Sequence, residues 1–270
     1  MPDSNQRIVC LTEEPTEILY LLGEERRVVG ISAYTKRPPE AARDKPVVSA
    51  FLDGSVRKIQ ELEPDLVIGF SEVQARLAAK LIADGLQVVI FNQRSLREIL
   101  EVVVSIGRLA GAGDKAQALA EDLQGRLAAA EARSARHGRH GRHGRRPRVY
   151  FEEWPDPAIS GIRWVSELIG LAGGEDIFAD RARQGLSKDR VVTPEEIVAR
   201  DPEVVLASWC GKPFDRDVFL ARAGMESLAA VRQGQVHELD PAIILQPGPG
   251  AILAGLPELE RIIGGWESGG

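Results

Sequence analysis

Two pairs of adjacent carboxylates, Glu13-Glu14 and Glu152-Glu153, are the first candidates for chemistry. Facing acids exchange protons with a substrate, hold a metal, or accept hydrogen bonds from a ligand. Adjacent side chains point in different directions, so at most one acid of each pair is expected to face a ligand. Cys210 adds a thiol. Glu13 or Glu14 with Glu152 or Glu153 and Cys210 would form a mixed site, and an enzyme using Glu13, Glu152 and Cys210 on a small substrate is one reading. A Cys210 nucleophile needs a base, and outside the tract at 136–146 the only histidine is His237. Neither G-x-S-x-G nor G-x-x-x-x-G-K-S/T occurs. No catalytic residue, metal ligand or intrinsic cofactor is assigned, and binding is favoured over catalysis.

Aromatic residues make up only 5% of the chain, so their placement is informative. Tyr34, Phe51 and Phe70 each follow an apolar run in the first half. Trp154 and Trp209 do so in the second half, with Trp164 near the start of the next helix. An indole offers a broad apolar face and one donor, which suits a flat ligand. Ligands of open α/β sheets sit beyond the carboxyl ends of the strands, where these residues fall.

The elements that must position them alternate. Ile8–Leu11, Val28–Ile31, Leu66–Phe70 and Val88–Phe91 read as buried strands. Helices are expected over Thr16–Leu22, from the Ser55 cap to Leu62, and over Ala75–Ala83. Two longer helices follow. Leu96, Ile99, Leu100, Val103, Ile106 and Leu109 recur at helical spacing, and Asp114 opens an Ala-rich stretch. The second half restarts the rhythm with strands at Arg148–Phe151, Val204–Ala207 and Val236–Leu239, and helices at Gly161–Leu171 and from Pro194. Glu63-Pro64-Asp65 before one strand is echoed by Asp201-Pro202-Glu203 before another, so two similar lobes are expected.

The resulting architecture is α/β: two lobes with mostly parallel sheets, joined by a long helix, with a ligand cleft between them. The expected divisions are an N-terminal lobe over 7–110, a linking helix over 113–135, a disordered basic loop over 136–147 and a C-terminal lobe over 148–265. The loop assignment rests on the Arg-His-Gly repeat, whose glycines disfavour helix.

The 270 residues carry a net charge of −6, which argues against a nucleic-acid partner. No run is long and apolar enough to span a membrane, and a monomer is expected. The start MPDSNQRIVCL lacks the features of an export signal, so the sequence as given reads as cytoplasmic. A trimmed signal would make it periplasmic or surface-anchored. Cys10 and Cys210 form no metal-type spacing and are expected to be buried thiols.

Arg7-Ile8-Val9-Cys10-Leu11 followed by Pro15-Thr16-Glu17-Ile18-Leu19-Tyr20-Leu21-Leu22-Gly23 resembles the opening of the cobalamin and iron-siderophore substrate-binding proteins of ABC importers. Leu62-Glu63-Pro64-Asp65-Leu66-Val67-Ile68 and Ala172-Gly173-Gly174-Glu175-Asp176-Ile177-Phe178 continue the likeness. It implies the class III periplasmic-binding-protein-like fold and a corrinoid (cobalamin-like) ligand or a similar flat metal complex. Haem or a ferric siderophore is the alternative. The chain would serve an ABC permease or act as a soluble carrier or sensor. The ligand-binding candidates are then Glu13, Glu14, Tyr34, Phe51, Phe70, Glu152, Glu153, Trp154, Trp164, Trp209, Cys210, Asp240 and Gln246. The family docks on its permease through one surface Glu per lobe; Glu226 suits the second lobe, whereas Ala75 stands at the first-lobe position with Glu72 nearby. Gly250 stands where the family often carries a ligand-holding Arg.

Overall fold

The computed structural model describes residues 6–50, 53–140 and 145–266. They fall into two units, the first comprising Met1–Gln93, Arg97–Gln124 and Gln246–Gly250, the second Arg94–Leu96, Gly125–Leu245 and Ala251–Gly270.

The first unit is built on five strands, β1 (Ile8–Cys10), β2 (Val28–Ser32), β3 (Val47–Ser49), β4 (Leu66–Phe70) and β5 (Val88–Phe91). Their order is β3-β2-β1-β4-β5 and every pairing is parallel. The chain winds outward one way from β1 and the other way from β4, so the topological switch lies between those two strands. That is where an open parallel sheet leaves room at its carboxyl end. All five residues of β4 are buried, as an apolar strand covered on both faces must be. Helices α1 (Glu13–Leu21), α2 (Pro39–Asp44), α3 (Val56–Glu61) and α4 (Ala75–Ala83) fill the crossovers. Ser55 caps α3 by accepting from the Lys58 N–H at 3.3 Å. Val9, Leu11, Val67, Leu77 and Leu81 pack into one core.

Helix α1 begins three residues before the expected Thr16. Pro15 sits in its first turn, where a missing N–H costs no intrahelical bond. That moves Glu13 and Glu14 from a loop onto the helix. Gly23, at φ +71°, ends the helix by donating to the Tyr20 carbonyl.

Helix α5 covers Leu96–Leu109, and α6 runs from Gly113 to His140, with the chain passing from the first unit to the second within it. Helix α6 continues five residues beyond the expected end at 135. One glycine, Gly138, costs about 1 kcal/mol inside a helix, which 28 residues absorb. Residues 141–144 of the Arg-His-Gly tract lie outside the described residues.

The second unit holds β6 (Arg148–Pro155), β7 (Ala158–Ser160), β8 (Glu175–Asp176), β9 (Val204–Ala207) and β10 (Val236–Glu238). The order is β10-β9-β6-β7, with β8 also against β6. Only β7 is antiparallel, in a hairpin that pairs Pro155 with Ala158. Helices α7 (Arg163–Leu171), α8 (Ala179–Ala182), α9 (Pro194–Arg200), α10 (Arg216–Leu220), α11 (Ala229–Arg232), α12 (Pro241–Ile244) and α13 (Leu256–Gly264) surround this sheet. Thr193 and Glu196 form a capping box on α9. Tyr150, Phe178, Ile197, Val205, Phe219 and Met225 form its core.

The echo between the halves has a structural basis. Glu63 and Asp201, each just before its proline, both adopt positive φ, 44° and 39°. The acid after each proline then ties down the entry to its unit's first strand. The Arg7 N–H donates to Asp65 Oδ2 at 2.7 Å and receives the Asp65 N–H at its carbonyl at 2.8 Å. The Arg148 N–H donates to Glu203 Oε2 at 3.1 Å, and the Glu203 N–H donates back at 2.8 Å. Among the described residues, no helix is long and apolar enough to cross a membrane.

Candidate functional site

In the second unit, β6 and β9 run side by side and place Glu152 opposite Ala207. Glu152 is fully buried, so its charge demands partners. It has four donors. Trp209 Nε1 and an Arg222 terminal nitrogen reach Oε1 at 3.0 and 2.9 Å, while the Tyr150 hydroxyl and the other Arg222 terminal nitrogen reach Oε2 at 2.8 Å each. Burial pushes the Glu152 carboxyl up, and the Arg222 guanidinium pulls it back. With two donors on each oxygen, Glu152 acts as an internal anchor that fixes the Trp209 indole.

Glu153, on the other side of the strand, is held by Arg190, whose terminal nitrogens reach its two oxygens at 2.6 and 3.3 Å. Arg190 is itself buried and also donates to the Ser160 carbonyl. Both acids at this strand end are therefore neutralised by arginines distant in sequence. No local pattern announces Arg190 or Arg222; each is recognisable only through its partner.

What remains at the carboxyl ends of β6 and β9 is aromatic. Trp154 is half-buried and its indole N–H donates to the Asp156 carbonyl at 2.9 Å. Trp209 is buried and meets Phe214 edge-on at 5.0 Å between ring centroids. Cys210 and Lys212 are exposed, and the Lys212 ammonium lies 4.3 Å from the centroid of Trp154 and 5.3 Å from that of Trp209. The exposure of Cys210 corrects the expectation of burial: its strand has ended at Ala207, and Gly211 turns the chain outward at φ +78°. Cys10 is buried as expected, and burial pushes its thiol up to about 12.

In the first unit, the start of α1 lies just past β1, at the switch point. Glu13 and Glu14 are buried there. Glu13 Oε1 accepts from Gln246 Nε2 at 2.8 Å, and Glu14 Oε1 accepts from the Thr12 hydroxyl at 3.0 Å. Their second oxygens have no hydrogen-bond partner. Burial pushes Glu13 up to about 7, and burial with the neighbouring Glu13 charge pushes Glu14 to about 8.

One turn later on α1, Glu17 accepts from the Gly250 N–H at 2.8 Å and from Arg37 Nε at 2.8 Å. Gln93 Nε2 donates to the Pro247 carbonyl at 3.0 Å. Gln246–Gly250 is thus gripped by α1 and by the residue two places after β5. A Cβ at Gly250 would lie 2.9 Å from Glu17 Oε2 and 3.1 Å from Arg37 Nε, so those side-chain ends would have to shift. The space that a side chain at 250 would enter is already filled by this ion pair.

The other sequence candidates divide. Tyr34 is 46% exposed just past β2, while Phe70 is buried at the end of β4. Trp164 is buried in α7 and donates to the Ile244 carbonyl at 2.9 Å, so it packs in the core of its unit. Asp240 caps α12 by accepting from the Ala242 N–H at 2.9 Å. Glu72 and Glu226 are both exposed, each in a short 3-10 turn. Phe51 lies outside the described residues. Among the described residues, no three His, Cys, Asp or Glu side chains gather as a metal site. Lys212 and Phe214 are not among the sequence candidates; their one local signal is a lysine directly after the Trp-Cys-Gly turn.

Comparison with known proteins adds the following. Residues 8–243 match a family model described as periplasmic binding protein. A vitamin B12-binding protein of Vibrio cholerae is 27% identical over 252 residues, covering 92% of this chain and 86% of its own length. A cobalamin-binding protein of Halobacterium salinarum is 28% identical over 254 residues, covering 90% of this chain and 66% of its own. Among solved structures, a periplasmic heme-binding protein from Pseudomonas aeruginosa superposes with a TM-score of 0.82 at 21% identity, covering 97% of this chain and 94% of that one. That likeness carries the fold alone.

Proposed function

The chain belongs to the periplasmic binding protein family, and from that premise we propose that it binds a corrinoid of the cobalamin type as the solute-binding component of an ABC importer. The family is one of solute-binding proteins, not enzymes, so no reaction is assigned to Glu13, Glu152 and Cys210.

The observation that carries the ligand class is the half-buried indole of Trp154 beside Trp209 at the carboxyl ends of β6 and β9. Every carboxylate oxygen of Glu152 and Glu153 beside them is already taken by a donor of the protein. An apolar, π-rich surface suits a flat ring bearing neutral amides. A hard cation, by contrast, would need free carboxylate oxygens there. The cobalamin-binding relatives support the same ligand class.

Tyr34, exposed beyond β2, and Gln246, half-buried beside Glu13, are the proposed contacts from the first unit. Cys210 and Asp240, both exposed, are proposed from the second, and Glu72 and Glu226 as the permease-docking pair. Co-elution on a desalting column tests the reading. Hydroxocobalamin should travel with the protein; free elution of hydroxocobalamin together with retention of hemin would replace corrinoid by haem.

A further inference from the structure

The turn after β9 carries a cation that the rest of the site leaves uncommitted. Gly211, at φ +78°, reverses the chain. The Cys210 N–H donates to the Glu153 carbonyl at 3.3 Å, and the Lys212 N–H to the Trp209 carbonyl at 3.3 Å. These bonds pin the turn to the end of β6 and hold Lys212 over both indoles, 4.3 Å from the Trp154 centroid and 5.3 Å from the Trp209 centroid.

The acids next to this lysine are spoken for, Glu152 by Arg222 and Glu153 by Arg190. Among the described residues, Lys212 makes no ion pair. It rests on π faces alone, a weak contact at an exposed site. A charge-assisted hydrogen bond to a phosphate or carboxylate is stronger. The flexible four-carbon stem lets the ammonium move from the face of a ring to its edge.

We propose that Lys212 is a specificity-determining residue that pairs with an anionic substituent carried at the edge of the flat ligand. This rests on the corrinoid reading above, in which the anion is the phosphodiester of the nucleotide loop. In a haem ligand the same lysine would take a propionate.

The test compares hydroxocobalamin with cobinamide, which keeps the ring but lacks the phosphodiester and nucleotide. Dissociation constants are measured for the full chain and for Lys212→Met and Lys212→Arg, with thermal melting as a folding control. Lys212→Met should weaken hydroxocobalamin binding about tenfold and leave cobinamide unchanged, with Lys212→Arg close to the parent. Added salt should narrow the parent's preference for hydroxocobalamin. Equal weakening of both ligands would overturn the proposal, leaving Lys212 as packing on Trp154; so would no weakening at all.

Failure of the corrinoid reading looks different, because the parent chain then binds neither corrinoid. Hemin and its dimethyl ester replace the pair in that case. Loss of their discrimination in Lys212→Met upholds the anion role, and unchanged discrimination or absence of binding overturns it.

Discussion

Arg222 meets Glu152 with two parallel bonds, 2.8 and 2.9 Å long, on a carboxylate with no solvent exposure. The two residues are 70 positions apart, and the pair joins the end of β6 to the turn after α10. Their worth is asymmetric. Removing the arginine leaves a buried charge that still has Trp209 and Tyr150 but no counter-ion. Arg222→Met should therefore cost about 3–5 kcal/mol in urea unfolding. Arg222→Met with Glu152→Gln should recover much of that loss. A single-variant loss below about 1 kcal/mol would mean the pair is not isolated from water.

Stability should depend on pH through the start of α1. Glu13 and Glu14 titrate near 7 and 8 in the folded unit, above their ordinary value of 4.5. The folded state therefore binds more protons than the unfolded chain between those values, and stability falls as pH rises through that window. Facing these acids are Thr12, Lys36, Gln93, Gln246 and the Cys10 thiol. Glu14→Gln should flatten the slope and raise Tm by several degrees at pH 9 while changing little at pH 5. A parallel pH profile for parent and variant would contradict this.

Two glycines should respond oppositely to alanine. A Cβ at Gly248 would lie 2.7 Å from Glu14 Cβ and 3.4 Å from its Cα, with no flexible end to yield. Gly248→Ala should cost about 1–3 kcal/mol. Gly125, in the interior of α6 with nothing within 4 Å of its Cβ position, should gain up to about 1 kcal/mol as alanine. Thermal melts of the two variants decide it; equal shifts would refute the close seat of Gln246–Gly250 against α1.

Trp154 and Trp164 should separate binding from folding. Trp154→Ala should weaken corrinoid binding about tenfold or more with little change in Tm. Trp164→Phe removes the donor to the Ile244 carbonyl, so it should lower Tm and leave affinity alone. Equal affinity in Trp154→Ala and parent would remove that residue from the site.

Much of the frame was legible because buried parallel strands advertise themselves. Leu66–Phe70, Val88–Phe91 and Val204–Ala207 end where their apolar runs end. The start of α1 was misplaced because Pro15 reads as a breaker, although a first-turn proline is harmless. The antiparallel β7 was missed because three residues carry too short an alternation. The candidate acids were visible, but their states were not. Whether Glu152 is free or saturated depends on Arg222, and Glu153 on Arg190, which only the fold brings near. The aromatic positions behaved likewise: Trp154 and Trp164 look alike in sequence, and one is half-buried at a strand end while the other is sealed inside its unit.

Corrinoid binding is to be tested at Trp154, the half-buried indole at the end of β6. Hydroxocobalamin absorbs where tryptophan emits, so titrating it into the protein and following intrinsic fluorescence reads contact at the site itself. Saturable quenching with a micromolar or tighter dissociation constant is expected, and Trp154→Ala should weaken it. Quenching that rises linearly without saturation, or a saturable response to hemin alone, would contradict it.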